Sequence, residues 1–469
     1  MTDNTPSSDA PRFDAPRFDA PRFDAPRFGA NYTPSQDWMF QWMGIDADVV
    51  RADFEALAGL GLDHVRVFPL WPVLQPNRTL IRRKALDDIA LVADIAAEFE
   101  LDIAVDVIQG HMSGFDFVPA WLVNWHDGNM FTDETAIQAQ SALVAAVYDA
   151  VRDKPNLIGL TLGNELNQFQ LPNPAAMPAE STQITHWLES LLGAPRDRDP
   201  RHLIAHSEND HLWYRDGHPF LPEHASRLGD VTTVHSWIFN GTAARYGGLS
   251  SPSVRHAEWM IELSKAFATD PQRKVWLQEV GAPSMNLAAE EMPEFAARTV
   301  EAALTTERLY GITWWCSHDV SRSLGDYKDL EYSLGLLDTE NVVKPLGRRF
   351  AELVAQARAD ARADARTDAG ADARTDAGAD AREVAATSAQ SRSASRVVPR
   401  TVGVVIDVDG DDLPLSRTDL APGGRVFERW HELREQGEPV TVVTSRTAQD
   451  SAALAVRGID TVVEVVQRA

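Results

Sequence analysis

The sequence predicts an α/β chain of the (β/α)8 class, a TIM barrel, followed by a small C-terminal α/β segment. Apolar strand-like runs and helix-like stretches alternate eight times over roughly 330 residues, and Gly or Asp-Lys-Pro stands where the helices end. The Gly-x-Gly-x-x-Gly turn of a dinucleotide-binding sheet is absent after the first strand, which leaves an open doubly wound sheet as the second choice.

The strands follow in order. They are "FGANY" from Phe28, "HVRVFPL" from His64, "LDIAVDVI" from Leu101, "LIGLTLGN" from Leu157, "HLIAHSEN" from His202, "VTTVHSW" from Val231, "KVWLQEVG" from Lys274 and "YGITWWC" from Tyr310. Between them, stretches such as "DADVVRADFEALAGLG" and "LDDIALVADIAAEFE" repeat apolar residues at helical spacing, and "NVVKPLGRRFAELVAQ" supplies the last helix. The barrel is expected over residues 28–356. Residues 1–27 repeat "DAPRF", and a proline every fifth residue opposes both helix and sheet. Residues 357–396 are an alanine-rich Arg/Asp segment, expected as a solvated helix fading into a linker. Residues 397–469 form the small α/β unit. Its "VVIDVDGD" and "VVTSR" faintly resemble haloacid dehalogenase-type phosphatases, but no Lys follows Lys344 to offset a phosphoryl charge. A structural accessory domain is the preferred reading.

A formal net charge of -25 opposes nucleic acid and membrane-surface partners and leaves neutral or cationic ligands. One cysteine, Cys316, excludes an internal disulfide framework, and the N-terminal text lacks the apolar run of a secretion signal, so a cytoplasmic location is expected. A homo-oligomer is compatible with these features.

In a barrel of this kind, the site is built at the C-terminal ends of the strands. Strand two carries Arg66, strand three ends in Asp106, Gln109 and His111, and strand four in Asn164 and Glu165. Strand five offers Glu208 and Asn209, strand six His235 and Trp237, strand seven Gln278 and Glu279, and strand eight Trp314, Trp315, His318 and Asp319. Singly, each reads as core or as a neutralised buried charge. The pair Glu165 and Glu279 is different, because burying two carboxyls costs several kcal/mol unless they are paired or used. Glycoside hydrolysis needs such a pair: one acid to protonate the departing oxygen, and one partner to attack the anomeric carbon or activate water. A zinc site drawn from His111, or from His206, Glu208 and His211, finds no support in motif spacing, so neither metal nor cofactor is expected.

"TLGNEL" and "WLQEVG", with "HVRVFP" and "VHSW", resemble the signature strands of glycoside hydrolase family 5, one of the clan A retaining glycosidase families, over residues 28–355. The resemblance implies Glu165 as acid/base, Glu279 as nucleophile, Asn164 on the sugar 2-hydroxyl, Arg66 orienting the nucleophile and His235 lining the site. It also implies a sugar platform from strand eight, Trp314 or Trp315. Trp237 stands where many members have Tyr. A cytoplasmic glycosidase is expected to take a short imported saccharide in an exo-acting, pocket-shaped site; "NYTPS", "QGHMSGFDFVPAWL" and "WWCSHD" resemble subfamily 18, which implies a β-mannosidase acting on mannosyl-β-1,4-N-acetylglucosamine. His111, Asp116, Trp121, Trp125 and His126 then become pocket candidates. The alternatives are another family 5 β-glycosidase, glucosidase or endo-acting, and a sugar-binding barrel without turnover.

Overall fold

The structure, a computed structural model, describes residues 25–123, 128–170, 179–198, 201–375, 397–407 and 415–465. The "DAPRF" leader up to residue 24 lies outside them, as do Trp125 and His126.

Eight parallel strands form the barrel: β1 (Arg27–Asn31), β2 (His64–Val67), β3 (Asp102–Asp106), β6 (Leu157–Thr161), β7 (Leu203–Ala205), β8 (Thr232–Ser236), β9 (Val275–Val280) and β10 (Leu309–Trp314). A hairpin of β4 (His111–Met112) and β5 (Phe115–Asp116) follows β3. The ladder runs β7-β6-β3-β2-β1-β10-β9-β8. Its two ends meet through shorter contacts: Asp230 N–H donates to Ile204 O at 2.9 Å, and Thr233 Oγ1 to His206 O at 2.8 Å. The ring is thereby a (β/α)8 barrel, as the alternating text predicts.

The principal helices around it are α1 (Ala47–Gly59), α2 (Arg83–Glu98), α3 (Glu134–Val151), α4 (Ser181–Arg196), α5 (His256–Phe267), α6 (Met292–Leu304) and α7 (Pro345–Thr375). Their starts follow local chemistry. Asp46 accepts from the backbone N–H of Asp48 and Val49 ahead of α1, and Asp133 accepts from Thr135 N–H ahead of α3, which satisfies donors left free in a first turn. Helix α7 runs past residue 356 into the alanine-rich text, so the barrel's edge there is no break in secondary structure. Arg358 holds its course, donating to Asp63 at 2.5 Å.

The C-terminal unit is a parallel three-stranded sheet, β12-β11-β13, of β11 (Val402–Ile406), β12 (Val440–Thr444) and β13 (Thr461–Glu464), with α8 (Arg425–Glu435) packed on it. It sits on the barrel's α5. Trp259 of α5 meets Phe427 and Trp430 of α8, with ring centroids 5.4 and 5.2 Å apart.

Candidate active site

Arg66, on β2 and fully buried, organises the mouth of the barrel. Its Nε and Nη2 donate to the two oxygens of Asp106 at 2.9 and 2.6 Å, a fork-to-fork pair that fixes the guanidinium plane. The remaining donors reach three other strands: Nη1 donates to Glu279 Oε1 at 3.2 Å and Asn31 Oδ1 at 3.1 Å, and Nη2 to Asn164 Oδ1 at 2.8 Å. Asn31 is turned by its own amide, which donates to Gln278 O at 3.0 Å. One cation thus positions residues from β1, β3, β9 and the end of β6.

His235 lies between the two glutamates. Its Nδ1 is 2.9 Å from Glu165 Oε1 and 3.3 Å from Glu279 Oε2, and its Nε2 is 2.9 Å from Ser207 Oγ. Ionised carboxylates only accept, so Nδ1 carries a proton. Trp237 Nε1 donates to Glu279 Oε2 at 3.2 Å, and Gln168 Nε2 donates to Glu165 Oε2 at 3.3 Å. One oxygen of each glutamate and a ring nitrogen of His235 lie within 4.8 Å of one another.

Glu279 is only 3% exposed and Glu165 9%. Burial raises the Glu279 carboxyl to about 6, with the charge of Glu165 adding and His235 and Arg66 opposing. Burial also works to raise Glu165, but the hydrogen bond and charge of His235, with the charge of His111, outweigh it and hold this carboxyl below its ordinary value. Desolvation of His235 is overcome in turn by Glu279 and Glu165, so the imidazole is raised. The two carboxyls thus favour the charged imidazole, and its charge in turn works to lower both of them.

Among the described residues this trio is the one group of three whose geometry suits a metal ion. Its donors are otherwise engaged: Glu279 accepts from Arg66 and Trp237, and a guanidinium 3.2 Å away opposes a second cation. His206 and Glu208 are joined at 2.6 Å, and His206 Nε2 lies 3.1 Å from His224 O.

Glu165, Glu279, Arg66, Asn164, His235 and Trp237 therefore converge. The strand-eight pair divides. Trp314 is buried against Phe350 of α7 with centroids 5.3 Å apart, which places it between strand and helix and corrects its inclusion as a sugar contact. Trp315 packs edge-on to Phe68, whose ring lies 4.7 Å beneath the Arg66 guanidinium. His111 and Asp116 pair with each other across the β4–β5 hairpin at 2.8 Å. Trp121 packs edge-on to Trp71 and donates to Gln75 O at 3.0 Å, tying its loop to the barrel. Asn31, Ser207 and Gln168 were not singled out from the sequence, and Asp106 was noted there without a role. Only the position of Asn31 and Asp106 at strand ends could have suggested them.

No family model and no curated protein matches the chain. Solved structures do. The chain is 44% identical to a GH5_18 protein from Bifidobacterium longum subsp. infantis, with a TM-score of 0.83 over 94% of this chain and 97% of that one. It is 45% identical to a Streptomyces cattleya GH5_18 variant solved with Manβ1-4GlcNAc, with a TM-score of 0.83 over 94% and 99% of the two chains. An exo-β-1,4-mannosidase from Opitutaceae bacterium strain TAV5 shares the fold at 23% identity, with a TM-score of 0.70 over 89% of this chain and 69% of that one.

Proposed function

Because this glycosidase belongs to subfamily 18 of glycoside hydrolase family 5, we propose that it is a retaining, exo-acting β-mannosidase cleaving mannosyl-β-1,4-N-acetylglucosamine. The observation that carries the mechanism is the approach of Glu165 and Glu279 within 4.8 Å. Carboxyls about 5 to 5.5 Å apart leave room for a glycosyl-enzyme bond, whereas inverting enzymes hold them about 6.5 to 9.5 Å apart to admit water. The substrate rests on the Manβ1-4GlcNAc held by two relatives at 43–45% identity. Exo action is supported by the hairpin and aromatic loops that wall one side of the mouth.

In the first step, Glu165 gives its proton to the glycosidic oxygen while Glu279, oriented by Arg66 and Trp237, attacks the anomeric carbon. That step needs a protonated Glu165 and an ionised Glu279. His235 supplies the proton: Nδ1–H passes to Glu165 as the sugar fills the site, leaving a neutral imidazole and a Glu279 carboxylate held by the Arg66 guanidinium. In the second step, Glu165 takes a proton from water, which releases the sugar from Glu279. Asn164, held by Arg66, faces the sugar 2-hydroxyl, and Trp315 is the platform. A cytoplasmic location belongs to the same reading, since the substrate is a short imported saccharide.

The test is hydrolysis of nitrophenyl β-mannosides and β-glucosides and of Manβ1-4GlcNAc. Wild type is expected to prefer mannosides, and E279A to lose about a thousandfold or more in kcat. E165Q should keep a burst of nitrophenol from activated substrates but turn over slowly, because deglycosylation lacks its base. Equal loss on every leaving group, or inversion at the anomeric carbon by NMR, overturns the mechanism. Binding without turnover by wild type points to the non-catalytic alternative.

A further inference from the structure

The barrel mouth holds a third carboxyl that the mechanism above does not employ. Glu331 lies in the turn Asp329–Ser333 after β10, and its Oε2 accepts from Ser113 Oγ at 3.0 Å. Ser113 stands at the tip of the β4–β5 hairpin, with φ +51°. This contact joins the loop after β3 to the loop after β10 across one side of the mouth. An aromatic cluster backs it: Tyr327 lies 5.1 Å from Trp38 and 5.0 Å from Phe115, centroid to centroid, in edge-on contacts.

Two features indicate that the position faces a ligand. First, Glu331 is hemmed in by protein yet partly reached by solvent, and it belongs to the catalytic pair's electrostatic neighbourhood. Burial pushes its carboxyl up to about 7, with the charges of Glu279 and Glu165 adding, against the Ser113 hydrogen bond and the Lys328 charge. Second, this carboxyl is undersupplied with partners. A carboxylate offers about four acceptor sites, and Ser113 is its one side-chain donor among the described residues. An acceptor with unfilled sites calls for a ligand that gives hydrogen bonds, as a hydroxyl does.

We propose that Glu331 is a sugar-binding residue of the catalytic pocket, accepting from hydroxyls of the hexosyl unit held for cleavage while its bridge to Ser113 closes that end of the site. It is thus proposed as a specificity-determining residue, because the bridge joins two loops where a longer chain would have to pass. The inference rests on the glycosidase reading above and adds a residue to it.

The experiment compares wild type, E331Q and S113A on nitrophenyl β-mannoside, with free mannose as competitive inhibitor. Replacing the carboxyl by an amide, which has one acceptor oxygen in place of two, should raise KM and the mannose inhibition constant of E331Q together, about tenfold to a hundredfold, while kcat moves less. S113A should show a smaller rise and gain activity on internally linked manno-oligosaccharides. KM and inhibition constant within twofold of wild type in E331Q, with wild type active, overturn this inference alone. Inactivity of wild type on every glycoside overturns the mechanism it rests on as well. Should E331Q fail to fold by circular dichroism, E331D and S113A decide by the same two constants.

Discussion

Trp237 occupies the place where many family members carry Tyr, and its indole N–H reaches Glu279 at 3.2 Å. A donor to a carboxylate stabilises the ionised form and lowers its pKa. In W237F that contribution disappears, so Glu279, already raised to about 6 by burial, rises further. As the proposed nucleophile, Glu279 must be ionised, and the acid limb of kcat/KM in the free enzyme should therefore move upward by about one pH unit. Activity at pH 6 falls, while activity at pH 8 stays near that of wild type; a pH-rate profile checks this. An unmoved acid limb would mean that the limb belongs to another group. The pair Glu165 and Glu279 was legible from the sequence, because two carboxyls ending apolar strands are costly to bury unless they are paired or used. Asn31 and Ser207 were not: a neutral amide or hydroxyl is ordinary at a strand end, and only the reach of Arg66 and His235 gives them a role.

At the scale of elements, strand alternation explains less of the site than it should. Gln278 and Glu279 are neighbours on β9, yet Gln278 donates to Thr161 Oγ1 at 3.1 Å and Glu279 meets Arg66. Regular pleating would send them to opposite faces. The β8–β9 ladder slips between Val234 and His235, beside Glu279, and the β9–β10 ladder slips between Ile312 and Trp314. Such irregularities re-aim side chains next to active sites. At the end of β6 the same purpose is met by a left-handed backbone at Glu165, φ +47°. Just past β9, Gly281 has a steric duty: a Cβ there would lie 2.6 Å from Trp315 O and 2.8 Å from the Trp237 ring. G281A should thus displace both tryptophans, destabilising the fold by about 1 to 3 kcal/mol and lowering kcat/KM more than heat stability alone explains. Urea melts and steady-state kinetics on the same preparation separate the two effects.

For the whole molecule, the notable fact is how firmly the C-terminal unit is joined to the barrel. Arg400 is buried and donates to Glu258 at 2.7 Å and Glu262 at 3.4 Å on α5; Arg434 of α8 donates to Glu258 at 2.9 Å, and Thr441 of β12 to Glu262 at 2.7 Å. Around these ions the Trp259, Phe427 and Trp430 rings continue the barrel core into the small sheet. Removing one member of a buried ion network leaves its partners charged and desolvated. R400M should lower unfolding free energy by about 3 kcal/mol in urea titrations, with kcat per folded molecule unchanged at low temperature. Deleting the chain after residue 396 should expose the Trp259 face of α5 and give an aggregating product by sedimentation. A soluble, active truncation would show that the barrel is complete without it.

The order of strands, their apolar character and the residues at their ends are local properties, and the sequence by itself determined the barrel and the identity of its two glutamates. Periodicity and strand-end polarity survive folding unchanged. Tertiary structure alone decided that Trp314 packs against helix α7, which small polar residues serve Arg66 and His235, and how the charges of the trio bias one another. These depend on ladder slips, on contacts between residues as far apart as Arg66 and Glu279, and on burial that no single segment creates. Such quantities belong to the closed ring and have no value along the open chain.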